Sequence, residues 1–555
     1  MHNRSLFFTA AALASACVTS AFVGCSSSSS SNPNNPGDGG TNEASPTPDS
    51  GGDEITMTTE AGSDSGTPEN DSSAASETGM SGCMTKVPPS GTPLVATSTA
   101  TVQGVTSDGQ VVYLDSAAKK LSAVPVAGGS PALIGPWDNS LGAIYTSAAG
   151  GAVVYWNGAS QKAAPYFGTL TVWTAASGAR NVAAAKSYLS GLGQGYVDIS
   201  PDGTRILYTD NATTTSVDIW VSGVDGTNPH KLVTGASNGA SCSPNVKFVG
   251  TSAVVAYCLG QPDAAGSLNA TLAAYDGTTG ALEQTFTTVG FTGFSGNKAG
   301  TQIAYVTAAG QLVETIGGVA PVPVLVDAAG AGAAVFTSDG LTLIYEEGSG
   351  DIYRAAIAAP ATTRERIALG PFGGVLALSP DDSVVLAFKT QDNTTGFTDL
   401  YILPTQPSDA GGTTLTLSST TTAALFGPAF TADGKQVLFF KSITMSGGGY
   451  IGEYDHLALP LMNIGSKIAG NTWEEWTTTG SKTIYNDNYA AGPTGSAGYA
   501  DVEALDLGAS GAPAPVTLVS GADANIFVSP DKTKVIYSWS SCTDGKAGIY
   551  TVAAP

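Results

Sequence analysis

Charge is scarce in this sequence. Only 12% of its 555 residues are Asp, Glu, Lys or Arg, too few for the long charged faces that helical bundles need, so all-α classes are set aside. Lys and Arg number 22 against 45 acids, a formal charge of −23. A chain so poor in cations does not neutralise phosphates, and nucleic acid is not an expected partner. Histidine stands only at positions 2, 230 and 456, which removes metal centres and acid–base pairs built on several imidazoles. No metal, cofactor or catalytic residue is expected. What the chain does contain is 42% hydrophobic residues, 70 Gly and 30 Pro. That is enough apolar side chain for a core and enough turn formers for many short strands, and the expected class is all-β.

The first 25 residues read as an address. A basic start at Arg4, an apolar stretch from Leu6 to Val23 and small residues before Cys25 make a secretory signal. The run Phe22-Val23-Gly24-Cys25 resembles the lipobox of bacterial lipoproteins, with Phe22 where Leu is more usual. That resemblance implies cleavage before Cys25 and acylation of its thiol and amine. Ser26 after it resembles the sorting signal for the outer membrane. Cys17, after Ala14-Ser15-Ala16, leaves a very short apolar run and is the weaker candidate. Read as a membrane span, the stretch is near the lower length limit and rich in Ala, Ser and Thr.

Residues 26–82 are mostly Ser, Gly, Pro, Asn, Thr and acids, with almost no large apolar side chain. Between 26 and 85 there are ten acidic residues and no Lys or Arg, a composition that buries nothing and repels itself into an extended tether. Scattered acids in such a chain do not make a calcium loop, which needs oxygens fixed around a tight turn. The folded region is expected over 83–555.

That region is a repeat array. The most informative stretch runs Tyr196-Val-Asp-Ile-Ser200-Pro201-Asp202-Gly203-Thr-Arg-Ile-Leu-Tyr208, then Asp218-Ile219-Trp220 and Lys231-Leu-Val233. Pro201 presets φ for a turn, Asp202 can bond its own backbone and Gly203 accepts positive φ, so the stretch reads strand, turn, strand, hairpin, strand. An apolar strand ending in an aromatic recurs at Tyr113, Tyr155, Tyr208, Tyr257, Tyr305, Tyr345, Phe388, Phe439, Tyr485 and Tyr537, 40 to 53 residues apart. This is the period of four-stranded propeller blades. The turn recurs around Asp108, Asp339, Asp381, Asp433 and Asp531, and recurrence of one carboxylate at one place means backbone geometry rather than catalysis.

At these residues the chain resembles the WD40-like repeat of TolB-type propellers, with its Ser-Pro-Asp-Gly turn and its Asp-Ile-Tyr/Trp third strand, here Asp218-Ile219-Trp220, Asp351-Ile352-Tyr353 and Asp399-Leu400-Tyr401. The resemblance implies a β-propeller of about ten four-stranded antiparallel blades over residues 91–555. One ring is favoured over two. It is nearly silent on activity.

The last repeat stops at Val552 with three strands, and Thr92-Pro93-Leu94-Val95-Ala96 resembles the fourth strands of other repeats. This N-terminal strand is expected to complete the last blade and remove a sheet edge. Four cysteines remain beyond the signal. Cys83 precedes the donated strand and Cys542 sits in the blade it joins, so a Cys83–Cys542 disulfide would staple the closure; Cys242 and Cys258 flank one hairpin and could pair locally. An exported chain permits both.

Three other strings invite chemistry. Gly235-Ala-Ser237-Asn-Gly239 matches G-x-S-x-G, but it is expected in a loop between blades rather than between a strand and a helix. Gly191-Leu-Gly193-Gln-Gly195 precedes a strand and is no nucleotide loop. Trp473-Glu474-Glu475-Trp476 puts two aromatics and two acids before the ninth hairpin, where a sugar or cation could stack; packing of the two Trp is the plainer reading. The other Trp residues read as core. The whole implies a non-enzymatic lipoprotein of the cell envelope, outer membrane in location and anchored to the membrane through its N-terminal lipid. Its TolB-like propeller would act as a protein-interaction or scaffolding module for a protein or envelope-polymer partner. The alternative is a carbohydrate-binding or carbohydrate-active propeller whose channel-mouth site uses Trp473, Glu474 and Trp476.

Overall fold

The computed structural model describes residue 89 and residues 91–555, except 138–143, 148, 158–165, 190–196, 212–215, 238–244, 251–253, 263–267, 287–288, 291–293, 308, 318–322, 389–399, 407–414, 419–428, 432, 447–448, 460–463, 473–475, 491–498, 509–513, 524–525 and 540–545. Strand is the dominant state among the described residues, and the single described helix is the one-turn Pro360–Thr363. The strands form ten antiparallel sheets in chain order, spanning 100–136, 145–189, 197–237, 245–290, 294–327, 330–368, 374–418, 429–472, 476–523 and 526–553. Eight are four-stranded meanders, the fourth carries a short fifth strand, Val289–Gly290, and the tenth has three strands.

Each sheet packs on the sheet that follows it, and the tenth packs on the first. The alternation of side chains explains this. A strand such as Arg205–Asp210 sends Ile206 and Tyr208 to one face and Leu207 to the other, and both faces are buried. One face joins the cluster shared with Val154, Trp156 and Val172 of the second sheet. The recurring aromatics fall in these intersheet layers: Tyr155, Tyr208, Tyr305, Tyr345, Phe439 and Tyr485 are the largest fully buried side chains. Trp156, Trp173 and Trp539 are buried, while Trp137 and Trp220 pack partly buried against the layers.

Closure is by the N-terminal segment, as expected, but more sparingly. Leu94 N–H donates to Ile549 O at 2.7 Å and Ile549 N–H to Val95 O at 2.9 Å, making one antiparallel bridge rather than a fourth strand. Pro93 has no N–H to extend the ladder. Leu94 and Val95 lean on Ile536, Ile549 and the first sheet.

The turns after the first strands are built alike. In the third sheet Ser200 Oγ donates to Asp202 Oδ1 at 2.6 Å, which also accepts Thr204 N–H at 3.0 Å, while Ser200 Oγ accepts Arg205 N–H at 3.0 Å. Asp381 and Asp531 repeat this with Ser379 and Ser529. In the others the hydroxyl comes from threonine: Thr106 to Asp108, Thr337 to Asp339 and Thr431 to Asp433. Ser107 and Ser338 thus stand where Pro201 does. Gly203 takes φ +71, and Asp382 and Lys532 hold the same left-handed place at φ +59 without glycine. Neighbouring turns touch: Ser338 Oγ donates to Asp382 Oδ2 at 2.6 Å and Ser147 Oγ to Gly203 O at 2.7 Å.

Candidate functional site

First strands contact first strands of adjoining sheets, whereas fourth strands carry exposed residues such as Leu133, Leu282 and Val516. The first strands are therefore innermost. Two residues before the turn, each innermost strand offers one equivalent position. In the second to fifth sheets it holds Tyr145, Asp198, Lys247 and Ser295, all half-buried; in the sixth, seventh and tenth it holds Val335, Ala377 and Phe527. Pairing fixes the equivalence, since Tyr145, Asp198, Lys247, Ser295, Val335 and Phe527 each lie opposite the residue just before the recurring aromatic.

The polar arc runs in one direction. Val197, next to Asp198, is buried toward the second sheet, so Asp198 faces the fourth. Lys247 leans onto the fifth: its Nζ donates to Phe294 O at 2.7 Å and lies 4.4 Å from the Phe294 ring centroid. Burial raises the Tyr145 phenol, and the negative charge of Asp198 adds to the rise. Burial lowers the Lys247 amine to about 8 against the opposing pull of Asp198. The Ser295 hydroxyl is buried and has no hydrogen-bond partner among the described residues. Asp198 and Lys247 escaped the sequence reading because a charged residue on one strand says nothing until ten strands share a register; that alignment was the available signal.

The six turn aspartates are engaged by their own turns, as described above. Trp476 opens the innermost strand Trp476–Thr479 of the ninth sheet, paired with Tyr485. Trp473, Glu474, Cys25, Cys83, Cys242 and Cys542 lie outside the described residues. Cys258 lies in the strand Val254–Pro262, opposite Asn245. The G-x-S-x-G string is not loop throughout: Gly235–Ser237 end the fourth strand His230–Ser237, where Gly235 at φ +64 donates its N–H to Asp218 Oδ1 at 2.8 Å. Asp218 anchors that bulge and holds Lys231 at 2.8 Å. Gly521 donates to Asp501 and Gly370 to Asp351 in the same way.

Away from the arc, Glu346 is half-buried beside Gly374, whose Cβ would come within 3.7 Å of its Oε2. Burial pushes its carboxyl up to about 7. A raised acid favours the protonated fold: its contribution is full below the unfolded value of about 4.3 and is lost as pH rises through about 7. Glu346→Gln is expected to flatten that loss and to stabilise the protein at pH 8 by about 3 kcal/mol. Denaturant titrations of both proteins at pH 5 and pH 8 check it; an equal gain at both pH values would deny the carboxyl this role.

Meandering four-stranded sheets packed face to face in chain order, with first strands innermost, define a β-propeller of antiparallel blades. No protein-family model matches the sequence, and no curated protein does. Among solved structures the chain is similar to a crystal structure of the eukaryotic initiation factor, at 11% identity and TM-score 0.43, over 69% of this chain and 93% of that one. It is similar to dipeptidyl peptidase 4 of Porphyromonas gingivalis at 10% identity and TM-score 0.39, over 71% and 65%. An oligogalacturonate lyase in complex with manganese is similar at 15% identity and TM-score 0.30, over 54% and 92%. The propeller assignment rests on this chain's own pairing and packing.

Proposed function

We propose that this protein is a cell-envelope lipoprotein whose propeller is a non-enzymatic interaction module, held by lipid on Cys25 and carried on the tether 26–82. The observation that carries the reading is the entry of the chain at Leu94–Val95 onto the tenth blade. The described chain thereby begins beside the closing seam, and ten blades contacting in succession suit one ring. Such a ring is a rigid frame that offers loops to a partner. The carboxylates at the turns are already held by hydroxyls and backbone N–H groups, which suits a frame better than acid–base chemistry.

Cell fractionation with a radiolabelled fatty acid tests the anchor. The unaltered chain is expected in the outer-membrane fraction carrying label, and Cys25→Ser in the soluble fraction without it. Label retained by Cys25→Ser would overturn the assignment. Photocrosslinking from the blade loops in cells is expected to capture a recurring envelope protein. Glycan binding at millimolar sugar, abolished by Trp476→Ala, would instead establish the carbohydrate reading.

A further inference from the structure

We propose that the fourth-strand place of the tenth blade accepts a single extended segment of a partner protein, which adds as a strand beside residues 551–553 and seats aliphatic side chains against Val516 and Leu133. The inference rests on the interaction-module reading and gives that module its docking place; it does not need the anchor. Among the described residues nine sheets have at least four strands and the tenth has three. In its last strand, Gly548–Ala553, the N–H and C=O of Ile549 face outward to Val95 and Leu94, whereas Ala554 N–H turns inward to Thr533 O at 2.8 Å. Backbone groups alternate sides along a strand, so those of Thr551 and Ala553 point outward with those of Ile549. Among the described residues no backbone group meets them there. Gly91 and Thr92, next in line on the closing segment, are exposed.

The place has an apolar wall on either side. Val516 lies opposite Ala504, a member of the layer between the ninth and tenth sheets, and so faces the tenth. Leu133 lies opposite Ser122, which stands opposite Tyr113 of the layer between the tenth and first sheets, and so faces the tenth from the other side. The two are 57% and 59% exposed. Both stand near the starts of their fourth strands, the end at which Ala553 pairs with Lys534 beside the turn. The opening is one strand wide, because the sheets on both sides reach a fourth strand and the tenth does not. One extended chain fits it, and the sheet edge of a second copy does not. The tether 26–82 has almost no large apolar side chain to seat on Val516 and Leu133. The closing segment already binds this edge through its backbone and through Leu94 and Val95, and the partner strand continues that ladder beyond Pro93 by main-chain pairing with pockets for alternate side chains.

The test uses the full-length protein and a fluorescein-labelled peptide copying residues 514–520, the start of the ninth blade's own fourth strand. Saturable binding by fluorescence anisotropy is expected, and methylation of alternate peptide amides is expected to abolish it. Val516→Asp and Leu133→Asp are each expected to weaken binding about tenfold, with unchanged melting curves because both side chains are exposed. In the free protein the Thr551 amide is expected to exchange about a hundredfold faster than that of Tyr550, and to slow when the peptide is bound. A Thr551 amide as protected as Tyr550 before peptide is added would mean that the chain itself fills the place, and would overturn the proposal. So would an absence of binding at millimolar peptide, or binding indifferent to both Asp variants. Failure of the peptide while blade-loop crosslinks persist in cells would strike this docking place and leave the interaction module standing.

Discussion

Deleting residues 91–97 is expected to cost about 4 kcal/mol and to speed exchange of the Ile549 amide about a thousandfold. The figure follows from what the segment contributes. It supplies two backbone hydrogen bonds, Leu94 to Ile549 and Ile549 to Val95, at about 1 kcal/mol each. Leu94 and Val95 add partial burial against Ile536 and Ile549, about 1 kcal/mol apiece. Without the segment the strand Gly548–Ala553 becomes a bare sheet edge, so the shortened protein is also expected to self-associate. Hydrogen exchange followed by mass spectrometry, with sedimentation for the mass, checks both. Protection at Ile549 equal to that of the intact chain would mean that the bridge does not hold the seam.

The second large effect is expected from Arg364→Met. Arg364 Nε donates to Asp327 Oδ2 at 2.6 Å, its Nη2 to Glu347 Oε1 at 2.6 Å, and its guanidinium lies 3.7 Å from the centroid of the Tyr353 ring. Asp327 comes from the fifth sheet and Arg364 from the sixth, so the pair ties two blades together. The Asp327 side chain is 8% exposed. Removing its cation leaves a buried carboxylate with Tyr345 Oη, at 2.9 Å, and Ala329 N–H as donors. The expected cost is about 3 kcal/mol, the low end for breaking a buried pair because Arg364 itself is 32% exposed. Burial alone would raise the Asp327 carboxyl, but the bonds from Ala329, Arg364 and Tyr345 outweigh it and hold it below the ordinary range. A depressed acid contributes stability above its unfolded value of about 3.9 and loses it as pH falls through the folded one. The gap between variant and parent should therefore be full at pH 7 and narrow below about pH 4. Denaturant titration across that span checks the sign, and Asp327→Asn in the Arg364→Met background should recover part of the loss. A gap independent of pH would place the effect in lost stacking on Tyr353.

Much of this architecture was legible because it repeats. Tyr155, Tyr208, Tyr305 and Tyr345 end strands of one register, and a register read many times corrects itself. The turn aspartates were legible for the same reason, although the hydroxyls that bind them, such as Thr106 at Asp108 and Thr337 at Asp339, were not. The donated strand shrank to one bridge because Pro93 stops a ladder that its apolar neighbours favour. The string at Gly235–Gly239 misled because a left-handed glycine bulge near a strand end has the composition of a loop. Lys247 was hidden for a different reason. Its environment is made by Asp198 and Phe294, each about 50 residues away on another blade, and no local pattern encodes that meeting.

The bridge between Val95 and Ile549 also decides how the domain answers to force. A pull on the chain before Thr92 is taken up first by two hydrogen bonds at the seam, ahead of every complete blade. They are expected to act as a mechanical fuse, parting before the nine meandering sheets behind them and re-forming when the load is gone.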